Sequence, residues 1–173
     1  MSDYLTESNM DFEPLFKNPA YEAFYIEKSS DYQEMNQKSS GVKSVEFLAK
    51  RKNEFCFIEA KETFANMDDI KNPIKLEDEC NKLYEKFHHS FLLFASKELK
   101  ISPSSTEFSF LTQDVLESHK LKFYLIIKDS NKDRCGKIRT KLMRGVFKPL
   151  THLLDLDVRV IPGETARKFD IIS

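Results

Sequence analysis

A mixed α/β (α+β) fold, with one central β-sheet flanked by helices, is predicted by three observations. Strand-like runs come first as a meander and then alternate with helical patterns, the order expected when one sheet carries helices on its faces. Hydrophobic residues make up 40% of the chain and include 15 Phe, enough for a core and too much for a disordered chain. At 173 residues the length fits one domain, read as an acidic lead segment over 1–20 and a core over 21–173.

The elements follow in order. Residues 1–20 read as a polar lead with one short helix. Tyr21–Lys28 (YEAFYIEK) is aromatic and β-branched, hence a strand. The polar stretch SSDYQEMNQKSSG reads as a loop, long enough to be a functional one. Val42–Ala49 and Glu54–Lys61 are strand-like runs, and Lys50–Asn53 between them makes a hairpin turn, so the two pair antiparallel. From Ile74 to Leu99, Leu76, Cys80, Leu83, Phe87, Phe91 and Phe94 recur at three- and four-residue steps and predict a helix with one apolar face. Ser102-Pro103-Ser104-Ser105 ends it. Leu121–Lys128 (LKFYLIIK) has the continuous apolar centre of a strand buried on both faces. A helix over Asp133–Leu154, a strand over Asp157–Ile161 and, after Pro162-Gly163, a terminal helical piece complete the chain.

Several function classes lose their support at once. The longest apolar run, around Phe91–Ala95, is far short of the roughly 18 residues a membrane helix needs, and the acidic N-terminus has no signal-peptide pattern. Cys56, Cys80 and Cys135 are widely spaced, with no CxxC or Cys/His ligand pattern, so neither a disulfide framework nor structural zinc is expected. A cytoplasmic protein with no membrane partner is the expectation. Gly-rich phosphate loops, a GxSxG elbow and Walker signatures are absent from the sequence.

The formal net charge of −1 conceals an asymmetry. Asp3, Glu7, Asp11, Glu13, Glu22, Glu27, Asp31 and Glu34 face only Lys17 and Lys28 over residues 1–36, whereas residues 120–148 are strongly basic. On the predicted helix over 133–154, Arg134, Lys137, Lys141, Arg144 and Lys148 form a stripe away from Ile138, Leu142, Val146, Leu150 and Leu153. Such a single-signed stripe suits a polyanion, although a solvated helix face reads the same way. The hairpin bases Lys50, Arg51 and Lys52 could add contacts. His88, His89, His119 and His152 show no metal-ligand spacing; His89, Ser90, Lys82 and Lys86 on the long helix could approach a substrate, although a helix-surface position is the favoured reading.

One constellation carries chemistry. Side chains alternate along a strand, so Phe55, Phe57, Glu59 and Lys61 share one face and Cys56, Ile58 and Ala60 the other. On the partner run, Val42, Ser44, Glu46 and Leu48 share a face, and pairing about the Arg51 turn brings Glu46 near Glu59 or offset from it by one cross-strand step. Two adjacent carboxylates need a cation between them, or one takes up a proton. Mg²⁺ or Mn²⁺ suits them, and Lys61 alongside could orient a water and offset phosphate charge, a set fitted to phosphodiester hydrolysis. Glu27 is a candidate auxiliary acid, or simply a surface carboxylate.

The segment GVKSVEFLAKRKNEFCFIEAKE resembles the core of the PD-(D/E)xK nuclease superfamily, the restriction-endonuclease-like fold. That signature is an acid on one strand of a hairpin and acid-x-lysine on the next; Glu46 and Glu59-Ala60-Lys61 stand at those positions. The motif covers about 20 residues, the later helix-strand-helix-strand order agrees, and the closing RVIPGETARKFDII is similar to the tail of small bacterial proteins of this type. The first acid is Glu where Asp is usual, and no Pro precedes it. The resemblance implies a Mg²⁺-dependent nuclease on DNA, less readily RNA, with Glu46 and Glu59 as metal ligands, Lys61 as the water-activating residue, and a homodimer by analogy. The alternative is a catalytically inactive nuclease-like fold that binds nucleic acid or protein.

Overall fold

The chain builds, in order, a small hairpin of β1 (Thr6–Glu7) and β2 (Met10–Asp11), α1 (Glu13–Lys17), β3 (Glu22–Tyr25), a 3-10 turn at Ile26–Lys28, α2 (Ser30–Lys38), β4 (Phe47–Arg51), β5 (Glu54–Lys61) and α3 (Pro73–Glu98). It continues with α4 (Val115–Ser118), β6 (Lys120–Ile127), α5 (Lys132–Arg144), α6 (Lys148–Leu153), β7 (Asp157–Pro162) and α7 (Gly163–Lys168). This computed structural model describes residues 5–65, 73–99 and 115–173; the expected helix break at Ser102–Ser105 lies outside them.

Strands β3 to β7 form one mixed sheet in chain order, as the α/β reading predicts. The first three are antiparallel, and β5, β6 and β7 run parallel. Parallel neighbours require crossovers, and α3 and α5 lie within them. Helices cover the front face, and the chain's two end segments cover part of the rear, so most of β5 and β6 is buried. On the front face Phe55, Phe57, Leu121, Phe123 and Val158 pack against Leu83, Phe87 and Phe94 of α3 and Ile138 and Leu142 of α5. Phe94 stacks on Phe55 with centroids 4.4 Å apart, and Phe87 meets Phe57 edge-on at 4.9 Å. On the rear face Phe47, Ala49, Ile58, Ala60 and Ile126 pack under Met10, Phe12 and Leu15 from the lead segment and Ala166, Ile171 and Ile172 from the C-terminal end. The lead segment is therefore part of the core. No helix among the described residues is long and apolar enough to cross a membrane.

Four expectations need correction. The polar stretch expected as a loop is α2: the Ser29 hydroxyl caps it by accepting from the Tyr32 N–H, and Tyr32 is its buried anchor. The strand expected over Val42–Ala49 joins the ladder only at Phe47. Upstream, backbone donors turn to α3 instead: the Lys43 N–H to His89 Nδ1 at 3.1 Å and the Val45 N–H to Ser90 Oγ at 2.9 Å. The first strand is shorter than Tyr21–Lys28, ending at Tyr25 where the 3-10 turn begins. The helix expected over Asp133–Leu154 is two, α5 and α6, broken at Gly145 with Pro149 at the start of the second.

Gly145 has a steric reason to be glycine: a Cβ there would lie 2.9 Å from the Lys141 carbonyl oxygen. Gly145→Ala is expected to lower stability by about 1–3 kcal/mol through that backbone clash, read as a drop of several degrees in thermal midpoint.

Candidate active site

The front-face alternation of β5 carries Phe55 and Phe57 into the core and then places Glu59 and Lys61 at the strand's carboxyl end. Phe47 pairs with Ile58, the last rung of the β4–β5 ladder, and the next residue back, Glu46, continues toward Glu59. Glu46 is held there by its neighbours: its Oε2 accepts from the Ala60 N–H at 2.8 Å, and its carbonyl accepts from the Ile26 N–H at 3.0 Å. Glu59 has no solvent exposure and Glu46 only 5%, so two carboxyl groups lie side by side out of water.

Their cation is Lys86, from α3. Its Nζ lies 3.1 Å from Glu46 Oε1 and 3.0 Å from both Glu59 oxygens, hydrogen bonding to Oε2. Lys61 is farther out, 3.7 Å from Glu59 Oε1, and more exposed than Lys86. Glu27 stands 3.9 Å from Lys86 on the outer side. The structure thus brings together Glu27, Glu46, Glu59 and Lys61, the first three around one ammonium. It corrects the expectation that Lys86 is a helix-surface residue. Phe87, next in sequence, is driven into the core, which rotates Lys86 toward the end of β5; Ser90, one turn on, is buried against Val45 on the same side. Of the other helix polar residues, Lys82 is exposed and paired to Asp78, and His89 is occupied with the Lys43 backbone.

The cluster is electrostatically crowded. Burial raises Glu59 well above the usual carboxylate range; the charge of Glu46 raises it further, and Lys86 offsets only part of this. Burial likewise pushes Glu27 up to about 6, with Lys86 opposing and Glu46 adding. Glu7, at the end of β1 beside the hairpin turn, is raised by burial and by the Glu46 charge. Burial works against the charge on Lys86, yet Glu59 and Glu46 outweigh it and hold the ammonium above its ordinary range. The hairpin also touches the end of β5 directly: Ser8 Oγ donates to the Ala60 carbonyl and Asn9 to the Glu62 carboxylate. Glu7 is the member of this site that sequence reasoning missed; Lys86 it weighed and set on the helix surface.

The donor set fits a small divalent cation in part. Buried carboxylate oxygens are the hard ligands Mg²⁺ takes, one or two at a time with water completing its shell. Glu59 Oε1 is buried and has no hydrogen bond of good geometry among the described residues, only the ion-pair contacts to Lys86 and Lys61. Against this, the ammonium of Lys86 occupies the position between the carboxylates. Among the described residues, no group of three His, Cys, Asp or Glu side chains is arranged to hold a metal ion.

The basic stripe is divided. Lys137, Lys141, Arg144 and Lys148 are exposed along α5 and the start of α6. Arg134 is not part of that surface: it donates to the carbonyl of Phe64 and its Nε is buried, so it ties the segment after β5 to α5.

A carboxylate whose pKa is raised by folding releases its proton first in the unfolded chain. Its contribution to stability therefore falls as pH rises from about 4.5 through the raised value, and stays low above it. Glu59→Gln is accordingly expected to raise the thermal midpoint at pH 8, with the gain shrinking as pH falls toward 4. Thermal melts across pH check this; a loss of stability at pH 8 would mean that the cluster serves the fold.

No family model, no curated protein and no solved structure matches this chain.

Proposed function

We propose that the chain is a divalent-cation-dependent nuclease acting on DNA, with Glu46, Glu59 and Lys61 at its centre. The observation that carries this reading is the convergence of Glu59 and Lys61 of β5 with Glu46, the residue just before β4, on one end of the sheet, in the crowded and unfavourable state just described. Buried like charges are expensive to fold around and are retained where chemistry uses them.

The residues that would hold Mg²⁺ or Mn²⁺ are Glu46 and Glu59. When bound, such an ion lowers the pKa of a coordinated water and stabilises charge building on a phosphate. Lys61, exposed on one side and 3.7 Å from Glu59, can orient that water and donate to a phosphate oxygen. Glu27, with its pKa raised to about 6, can exchange a proton near neutral pH. Lys86 neutralises the carboxylates until another cation competes for them. The exposed bases of α5 and α6 favour the approach of a polyanion.

A second reading, a nuclease-like fold that binds without cleaving, is favoured by the seating of Lys86 between the two acids. Cleavage assays on single- and double-stranded DNA and on RNA, with Mg²⁺ and Mn²⁺, separate the two. Under the nuclease reading Lys61→Ala and Glu59→Ala each cost at least about 100-fold in rate. Activity unchanged in both variants would sink it.

Two further outcomes are expected. Lys86→Met removes the internal competitor and should tighten Mn²⁺ binding by about tenfold or more in calorimetric titration, whereas Glu59→Ala abolishes it. Replacing Lys141 and Arg144 by Glu should weaken DNA binding and flatten its dependence on log salt by about 1 for each phosphate no longer neutralised.

A further inference from the structure

The rear face of the sheet is covered over only half its length. Toward the ends of β5 and β6 nearest the candidate site it is sealed by the lead segment and the C-terminal residues. Over the other half lies an open cavity of about 440 Å³. Its floor is Cys56 and Ile58 of β5 with Lys122 and Tyr124 of β6, and Tyr21, Arg51, Arg159 and Phe169 stand around it. The alternation that puts Glu59 and Lys61 on the front puts these residues on the rear, so the two sites lie on opposite faces.

The charges in this cavity are unevenly matched. Lys122, nearly buried, pairs with Glu54 at 2.5 Å, and Arg159 pairs with Asp157 at 2.8 Å. Arg51 has no carboxylate partner among the described residues: it donates to the Tyr21 hydroxyl at 2.9 Å, and its guanidinium lies 5.0 Å from the Tyr21 ring centre. The Tyr21 hydroxyl in turn donates to the Phe169 carbonyl at 3.2 Å, which fixes the pair to the C-terminal wall. A stacked guanidinium held by a neutral phenol keeps N–H groups and its full charge for an oxyanion. Beside it are flat or apolar groups: Tyr124, Ile58, Ile161, Ile171 and Phe169, the last 46% exposed at the rim. Cys56 belongs to that floor and is no nucleophile, because burial pushes its thiol up to about 12.

We propose that this cavity binds a small organic acid with a flat apolar body, its carboxylate on Arg51 and its body laid between Tyr21 and Tyr124 over Cys56 and Ile58. The volume is that of a ligand pocket, and, with Lys122 and Arg159 already paired to carboxylates, Arg51 is, among the described residues, the cation left to orient such a molecule among apolar and aromatic groups. The assignment does not depend on the nuclease reading.

The probe is 2-naphthoate, followed by its fluorescence anisotropy with the full chain. Saturable binding at one site per chain is expected. The uncharged 2-naphthamide should bind at least about tenfold more weakly, since it lacks the charge-assisted hydrogen bonds. Arg51→Gln should lose about tenfold or more while the thermal midpoint holds. Should that variant not fold, Thr165→Trp, at the cavity wall, is expected to block the probe while Lys141→Glu, on another face, leaves it unchanged. Absence of saturable binding, equal binding of the amide, or full affinity in a folded Arg51→Gln overturns the proposal. Inorganic phosphate binding as tightly as 2-naphthoate, read from competition at constant ionic strength, also overturns it, because the flat body would then contribute nothing; weaker competition at Arg51 is expected.

Discussion

Everything at the front of this molecule depends on one cation among buried carboxylates. Glu46 and Glu59 are out of water and adjacent, and Lys86 sits against both. Neither acid tolerates removal of that ammonium without a substitute, since an uncompensated buried charge is far more costly than a paired one. The rest of the fold is arranged to deliver the three groups to one point. The β4–β5 register aligns the two acids, and the phenylalanine packing of α3 on β5 sets the depth from which Lys86 reaches them. The lead hairpin closes the strand's end through Ser8 and Asn9.

This explains why the site lies where the strands end. Within β5 each front-face position before Glu59 is an aromatic side chain in a continuous core, and a carboxylate there would have no partner. At the carboxyl ends of the parallel strands the backbone passes into loops: the Lys128 N–H reaches the Lys61 carbonyl and the Asp129 N–H the Glu62 carbonyl. Charge can be placed there because helix and hairpin side chains converge from two sides. The same alternation leaves the rear of the sheet to a different cluster, in which Arg51, Lys122 and Arg159 stand on a floor the lead segment does not cover.

Much of this was legible in the sequence. The period of Cys80, Leu83, Phe87 and Phe94 marks α3 almost to the residue, and the two-residue period of β5 with its polar turn brings Glu46 to within one cross-strand step of Glu59, a choice the β4–β5 register settles. What escaped was set by interactions between distant segments. Helix α2 has little apolar surface, and its visible signal was the Ser29 cap with Tyr32 three residues on. Residues 43–46 look like strand because their side chains alternate, yet their backbone donors are claimed by His89 and Ser90, forty-odd residues away. Lys86 stands at the border of an apolar stripe, where lysines are ordinarily solvated. Only the demand of two buried acids, Glu59 on β5 and Glu46 just before β4, gives it another place. Arg134 matched the spacing of the basic stripe but found a carbonyl to satisfy first.

The attachment of α3 also has a kinetic meaning. Lys86 is not the helix's only tie to this side of the molecule: Ser90 holds Val45, and Lys97 reaches Asp31 at 2.9 Å two turns further on. If the ammonium leaves the carboxylates, those two contacts and the aromatic packing still keep the helix on the sheet. Exchange at the acids then requires rotation about the bonds of one side chain once the ion pair is broken, and no collective displacement of a helix, a motion of microseconds to milliseconds. The scaffold can stay still while the charge at its centre changes hands.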